Sequence, residues 1–185
     1  MKITVVQPPY FAGEKPDGKI ADFLMNELQK VEKDSLIVLP EYSNAGGVSD
    51  IESEKAALPR AKEMLKVAAT IAKENAAYIA INVLEDRNEK IKNSTYLFDK
   101  KGNIAFIYDK IHLPPSEIAS DEKGGCSMIV APDGKILKDM GKSTGAISTN
   151  IDPKEKHMRT AGFGGGMIRN DDFINNGLRP DIFRK

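Results

Sequence analysis

Short continuous apolar runs alternate with longer stretches in which apolar residues recur every three or four positions. Residues 2–7 form a β-branched run closed by Pro8-Pro9, which predicts a strand followed by a loop. Residues 17–31 carry Ile20, Phe23, Leu24, Leu28 and Val31 at helical spacing, so one face of a helix is expected to pack inward. Residues 36–39 are a short, uninterrupted apolar run of the kind buried on both faces of a sheet. Asn44-Ala45-Gly46-Gly47 reads as loop. A second helix is expected over residues 59–75, with Pro59 at its start and Met64, Leu65, Ala68, Ile71 and Ala72 as its stripe. Residues 78–84 are again strand-like.

The rhythm then changes. Residues 90–99 and 104–110 predict two strands joined by a turn at Lys100-Lys101-Gly102-Asn103. Residues 127–131 and 135–138 predict another hairpin around Asp133-Gly134, and residues 146–151 a further strand. Strand–helix–strand–helix–strand followed by hairpins implies an α/β (α+β) architecture: a mixed sheet with helices on at least one face. Residues 162–185 hold three consecutive glycines, Asn175-Asn176-Gly177 and Pro180, with little periodicity. An irregular arm is expected there. The glycines at 162 and 164–166 follow no predicted strand and open no helix, so they are read as tail and not as a nucleotide loop.

Composition narrows the function classes. Lysine plus arginine and aspartate plus glutamate are equal at 27 each, so no basic face is implied and nucleic acid is a poor partner. A chain of 185 residues with 41% hydrophobic and 29% charged residues has the makings of an ordinary globular core. The N-terminal apolar run is too short for a signal peptide, and no stretch has the length of a membrane span. A cytoplasmic location is therefore expected, with no membrane partner. One cysteine excludes an internal disulfide, and two histidines argue against structural zinc. Neither His112 nor His157 has a sequence partner suggesting a metal. His112 is expected to hydrogen-bond within its strand end and His157 to be solvated. No metal or other cofactor is expected.

Two runs carry the candidate chemistry. Leu36-Ile37-Val38-Leu39-Pro40-Glu41-Tyr42 delivers a carboxylate at a strand end, and Tyr108-Asp109-Lys110-Ile111-His112-Leu113 delivers an ammonium at another. A carboxylate and an ammonium converging on one pocket suit acyl transfer, as proton acceptor and as clamp for a developing anion. Such a site also needs a nucleophile. Taken singly, either residue also fits a solvated strand-end side chain. Cys126, the sole thiol, lies between Gly125 and Ser127 in a hairpin context, where a small apolar structural role is expected. A recruited nucleophile is the alternative.

These runs resemble the carbon–nitrogen hydrolase (nitrilase/amidase) superfamily. The resemblance rests on Leu39-Pro40-Glu41, on the Tyr108–Leu113 run, and on Gly124-Gly125-Cys126-Ser127-Met128-Ile129-Val130-Ala131-Pro132-Asp133-Gly134. The opening Val5-Val6-Gln7-Pro8 and the Asn93-Ser94-Thr95-Tyr96-Leu97-Phe98-Asp99 hairpin also look like the family. It covers about residues 1–117 and 121–152.

The resemblance implies a reduced form of a four-layer α-β-β-α sandwich, with residues 1–152 as the domain. Residues 153–185 would be a tail packing on a partner subunit, most simply in a homodimer. It further implies a small amide, nitrile or carbamoyl substrate, with Glu41 as base, Lys110 as oxyanion partner and Glu117 as a second acidic residue that helps position substrate. In that chemistry the glutamate is partly desolvated and the lysine stays charged. Family members carry a long segment with the nucleophilic cysteine between the lysine motif and the Pro-Asp-Gly hairpin. Here only about a dozen residues fill that interval, with an apparent deletion near residues 118–121, and Cys126 does not match the family's nucleophile. The expectation is therefore a carbon–nitrogen hydrolase relative inactive in this form, or a binding or assembly module built on the remnant fold.

Overall fold

The computed structural model describes residues 1–9, 18–48, 50–110, 127–155, 158–160 and 167–169. The chain begins with β1 (Lys2–Gln7), α1 (Lys19–Leu28), β2 (Leu36–Val38), α2 (Ile51–Glu74) and β3 (Tyr78–Asp86). There follow β4 (Ile91–Phe98), β5 (Ile104–Asp109), β6 (Met128–Val130), β7 (Ile136–Asp139), β8 (Gly145–Asn150), β9 (Met158–Thr160) and β10 (Met167–Arg169). Six strands form one sheet in the order β5-β4-β3-β2-β1-β8. The three strands β1, β2 and β3 run parallel through right-sized helical crossovers, while β4, β5 and β8 join antiparallel to their neighbours. The expected mixed sheet is thus present.

Alternation along the strands decides which face is dry. Ile37, Ile79 and Phe98 stand in one cross-strand row, and Val6, Leu39, Ile81, Val83 and Tyr96 join them in the core. Both helices cover this face, through Ile20, Leu24 and Leu28 of α1 and Met64, Ala68, Ile71 and Ala72 of α2. These are the stripes the helical spacing predicted. The opposite face carries a second row in strict register, Ile147–Val5–Val38–Ala80–Leu97–Phe106, one residue from each of the six strands. None of the six is fully buried, and Phe106 is 59% exposed.

The start of α2 and a strand pair in the tail differ from the sequence reading, while the hairpin expected around Asp133-Gly134 is present. Helix α2 starts at Ile51, eight residues before the expected Pro59. Asp50 caps it by accepting a 2.9 Å hydrogen bond from the Ser53 amide, and Glu52 and Glu54 sit in the first turn where the helix dipole favours them. Pro59 is therefore interior, where it leaves the Lys55 carbonyl without its usual donor. The hairpin β6–β7 stands as its own two-stranded sheet, whereas β8 joins the main one. Within the expected tail, β10 pairs antiparallel with β9.

The β4–β5 turn shows why its glycine cannot be replaced cheaply. Gly102 has φ +77, and a Cβ there would stand 2.4 Å from the Ala69 carbonyl oxygen of α2.

Candidate active site

Because β1, β2 and β3 are parallel and β4 reverses between β3 and β5, the carboxyl ends of four strands and the start of β4 share one edge of the sheet. That edge is where open α/β sheets present ligand crevices. Strand β2 is carried on past Val38 by Leu39, whose amide donates to the Ala80 carbonyl at 2.9 Å. The chain then turns over residues 41–47 and is pinned to β3. The Ser43 amide donates to the Asn82 carbonyl at 3.0 Å, and Asn44 bonds both the amide and the carbonyl of Leu84, each at 2.8 Å. Tyr42, directly after Glu41, takes a left-handed φ of 56, and its amide donates to Asn82 Oδ1 at 2.8 Å. Non-glycine residues seldom occupy that region, and the hydrogen bonds around this turn hold it there.

On the other side, Lys110 follows β5 with its amide bonded to the Asn93 carbonyl at 2.9 Å, so the ladder to β4 extends to this residue. The two side chains meet: Lys110 Nζ lies 3.0 Å from Glu41 Oε1. The Asn93 side-chain amide donates to the same oxygen at 2.6 Å. The lysine side chain is 23% exposed and the glutamate 48%, so the carboxylate is wetter than a deeply desolvated base would be.

The neighbouring residue, Asp109, projects to the other face and is gripped there. Arg87 reaches it with both terminal nitrogens at 3.1 Å, Ser94 donates to it at 2.8 Å, and Arg87 also bonds Glu85 and Tyr96. The Ser94 hydroxyl, with Arg87 beside it, holds the Asp109 carboxyl below the usual carboxylate range. The bond to Glu85 holds the Arg87 guanidinium above its ordinary value. Burial, reinforced by its hydrogen bond to Glu85, pushes the Tyr96 hydroxyl up to about 12. This cluster fastens the end of edge strand β5, one residue before Lys110.

Of the residues singled out by sequence, Glu41 and Lys110 are brought together. Glu117, Cys126, His112 and His157 lie outside the described residues. The amide of Ser127, which begins the next described segment, donates to Gln7 Oε1 at 2.9 Å. Sequence reasoning gave no role to Asn82 or Arg87, and none to Asn93 beyond its place in the run that resembles the family. The available signal was Asn82, an amide in the middle of the apolar run Ile79–Leu84, since a polar residue inside a buried strand must be matched by a partner. A cavity of about 490 Å³ lies between α1 and α2 beside Gly18, Ile20, Asn44 and Arg60, and neither Glu41 nor Lys110 lines it. Chemistry marks the site better than volume here. Among the described residues no three of His, Cys, Asp and Glu gather as a metal would require, and no helix is long and apolar enough to cross a membrane.

The model of the carbon–nitrogen hydrolase family matches residues 2–124. Among solved structures, the C. elegans NitFhit protein aligns with a TM-score of 0.50 at 16% identity, over 76% of this chain and 36% of that one. A carbon–nitrogen hydrolase from Helicobacter pylori G27 gives 0.48 at 21% identity, over 70% of this chain and 47% of that one. An N-terminal amidase with an Asn-Glu-Ala peptide gives 0.48 at 20%, over 65% of this chain and 30% of that one. At such identities the likeness is one of fold, and the chain spans less than half the length of each. No curated protein matches the chain.

Proposed function

Since the chain belongs to the carbon–nitrogen hydrolase family, we propose that Glu41 and Lys110 are the acid–base half of a site for a small amide, nitrile or carbamoyl compound. We propose also that this chain alone does not turn such a substrate over. The observation that carries the reading is the 3.0 Å contact between a carboxylate on one strand tip and an ammonium on another. In the full reaction on an amide, Glu41 accepts the thiol proton as sulfur attacks the carbonyl carbon, Lys110 stabilises the tetrahedral oxyanion, and Glu41 returns the proton to the departing nitrogen. A nitrile first gives a thioimidate, which water converts to the same thioester with loss of ammonia. Water activated by the same carboxylate then cleaves the thioester. Glu117 would help to hold the substrate.

Inactivity follows from the nucleophile, for which Cys126 is out of the family's place. In a hydrolase with a side-chain nucleophile, losing that group alone costs on the order of 10⁶ in kcat. A base and a clamp do not compensate for that.

A second reading, an assembly module working as a dimer, is favoured by a different observation. Among the described residues strand β5 ends the sheet, with Ile104, Phe106, Ile107 and Tyr108 all exposed. Edges and apolar faces of this kind pair readily with another chain.

The test is ammonia release from simple amides and nitriles by the purified chain, with Glu41→Gln and Cys126→Ala as controls. No turnover is expected from any of the three. Turnover that both substitutions abolish would overturn the proposed inactivity and make Cys126 the nucleophile. Alongside absent turnover, a folded dimer by sedimentation would favour the assembly module.

A further inference from the structure

Two buried asparagines connect Glu41 to the sheet by a route that does not pass through Lys110. Asn82 on β3 is 9% exposed and Asn93 on β4 is 5% exposed. The geometry points to Asn93, itself oriented by Asn82, as the positioning residue that fixes the Glu41 carboxylate against Lys110.

Donor and acceptor logic sets the direction of every bond in this relay. The Tyr42 backbone amide can only donate, so the atom 2.8 Å away must be the carbonyl oxygen of Asn82. The Asn82 NH2 group then faces Asn93 Oδ1 at 2.6 Å and Thr95 Oγ1 at 3.0 Å. With its oxygen so engaged, Asn93 turns its NH2 group toward Glu41 Oε1, at 2.6 Å. The relay therefore leaves the chain at the residue after Glu41 and returns to the Glu41 side chain, closing a ring across three segments. A neutral amide donor orients a carboxylate without adding charge to the site, and both asparagines sit on strands, which are rigid mounts. Ion pairing alone would leave two long side chains free to swing together.

The role given to Glu41 rests on the function proposed above, but its positioning is measurable without turnover. Competitive trace acetylation, read lysine by lysine by mass spectrometry, reports how well Glu41 holds each amine that it touches. Lys100, paired with Asp34 at 2.8 Å on the β4–β5 turn, serves as the internal control for folding. Glu41→Gln is expected to speed modification of Lys110 about threefold, the effect a half-exposed ion pair supports. Asn93→Leu and Asn82→Leu should approach that rate while Lys100 stays at its wild-type rate. Lys110 unchanged in Asn93→Leu but faster in Glu41→Gln would overturn the relay and leave the proposed function standing. Lys110 unchanged in Glu41→Gln would remove both. If the leucine variants accelerate every lysine, they have unfolded, and the side-chain NH2 resonances decide instead. In folded Glu41→Gln the Asn93 signals should move while those of Asn26 and Asn103 stay; unmoved Asn93 signals would overturn the relay.

Discussion

Tyr96 sits at the junction of the core and the Arg87 cluster, with its ring in the apolar row and its hydroxyl on Glu85 at 2.7 Å. Its hydroxyl is pushed up to about 12, against an ordinary value of 10.0, so the folded chain keeps a proton that the unfolded chain releases earlier. Below pH 10 the group is protonated in both states and its contribution is intact. As pH rises toward 12 the unfolded state binds fewer protons, and stability falls. Urea denaturation at pH 8 and at pH 11 is expected to show a larger loss in the wild type than in Tyr96→Phe. Equal losses would mean that the hydroxyl is not held as the structure places it. At this scale the meeting of Glu41 and Lys110 was legible, because Pro-Glu and Tyr-x-Lys runs stand at strand ends, while Glu117 lies outside the described residues. The neutral residues of the site were not: nothing local tells a buried asparagine in a strand which carboxylate it will reach across two registers, as Asn93 reaches Glu41.

Among the elements, helix spacing identified the inward faces correctly because burial imposes it. The boundary of α2 escaped because its first two turns are mostly solvated and show no apolar stripe, while Pro59 imitates a helix start. The cap was written nearby in Asp50-Ile51-Glu52-Ser53. Removing it with Asp50→Ala should destabilise the fold by about 1 kcal/mol, read as a shift in the denaturation midpoint with the slope unchanged. A change well under that would mean the added turns fray and contribute little. Strand β5 was predicted, but its place at the sheet margin was not. Register against β4 alone fixes it there, and sequence alternation cannot tell an outer strand from an inner one.

Taken whole, the molecule has one face sealed by two helices and another carrying a six-residue apolar row that ends on exposed Phe106. Concentration-dependent association is expected in sedimentation experiments between micromolar and near-millimolar protein. Phe106→Lys, which puts a charge on that row and on the edge strand, should weaken it without lowering thermal stability. A chain that stays monomeric throughout would remove the assembly reading. The mixed sheet and the placement of both helices were legible because apolar pattern and connection order jointly determine them. How the face opposite the helices is used was not, since the residues that row meets are not written next to it in the chain.

The pairing of β1 with β8 has a consequence for synthesis. Val5 and Ile147 are partners across 142 positions of chain, from 147 − 5. On the ribosome β1 must therefore wait, its outer hydrogen-bonding groups unclaimed, until β8 (Gly145–Asn150) has emerged. Contacts this distant in sequence close slowly. A nascent chain stalled before residue 145 would hold parallel β1–β2 pairing with a bare margin, a natural substrate for chaperones that recognise unpaired strands.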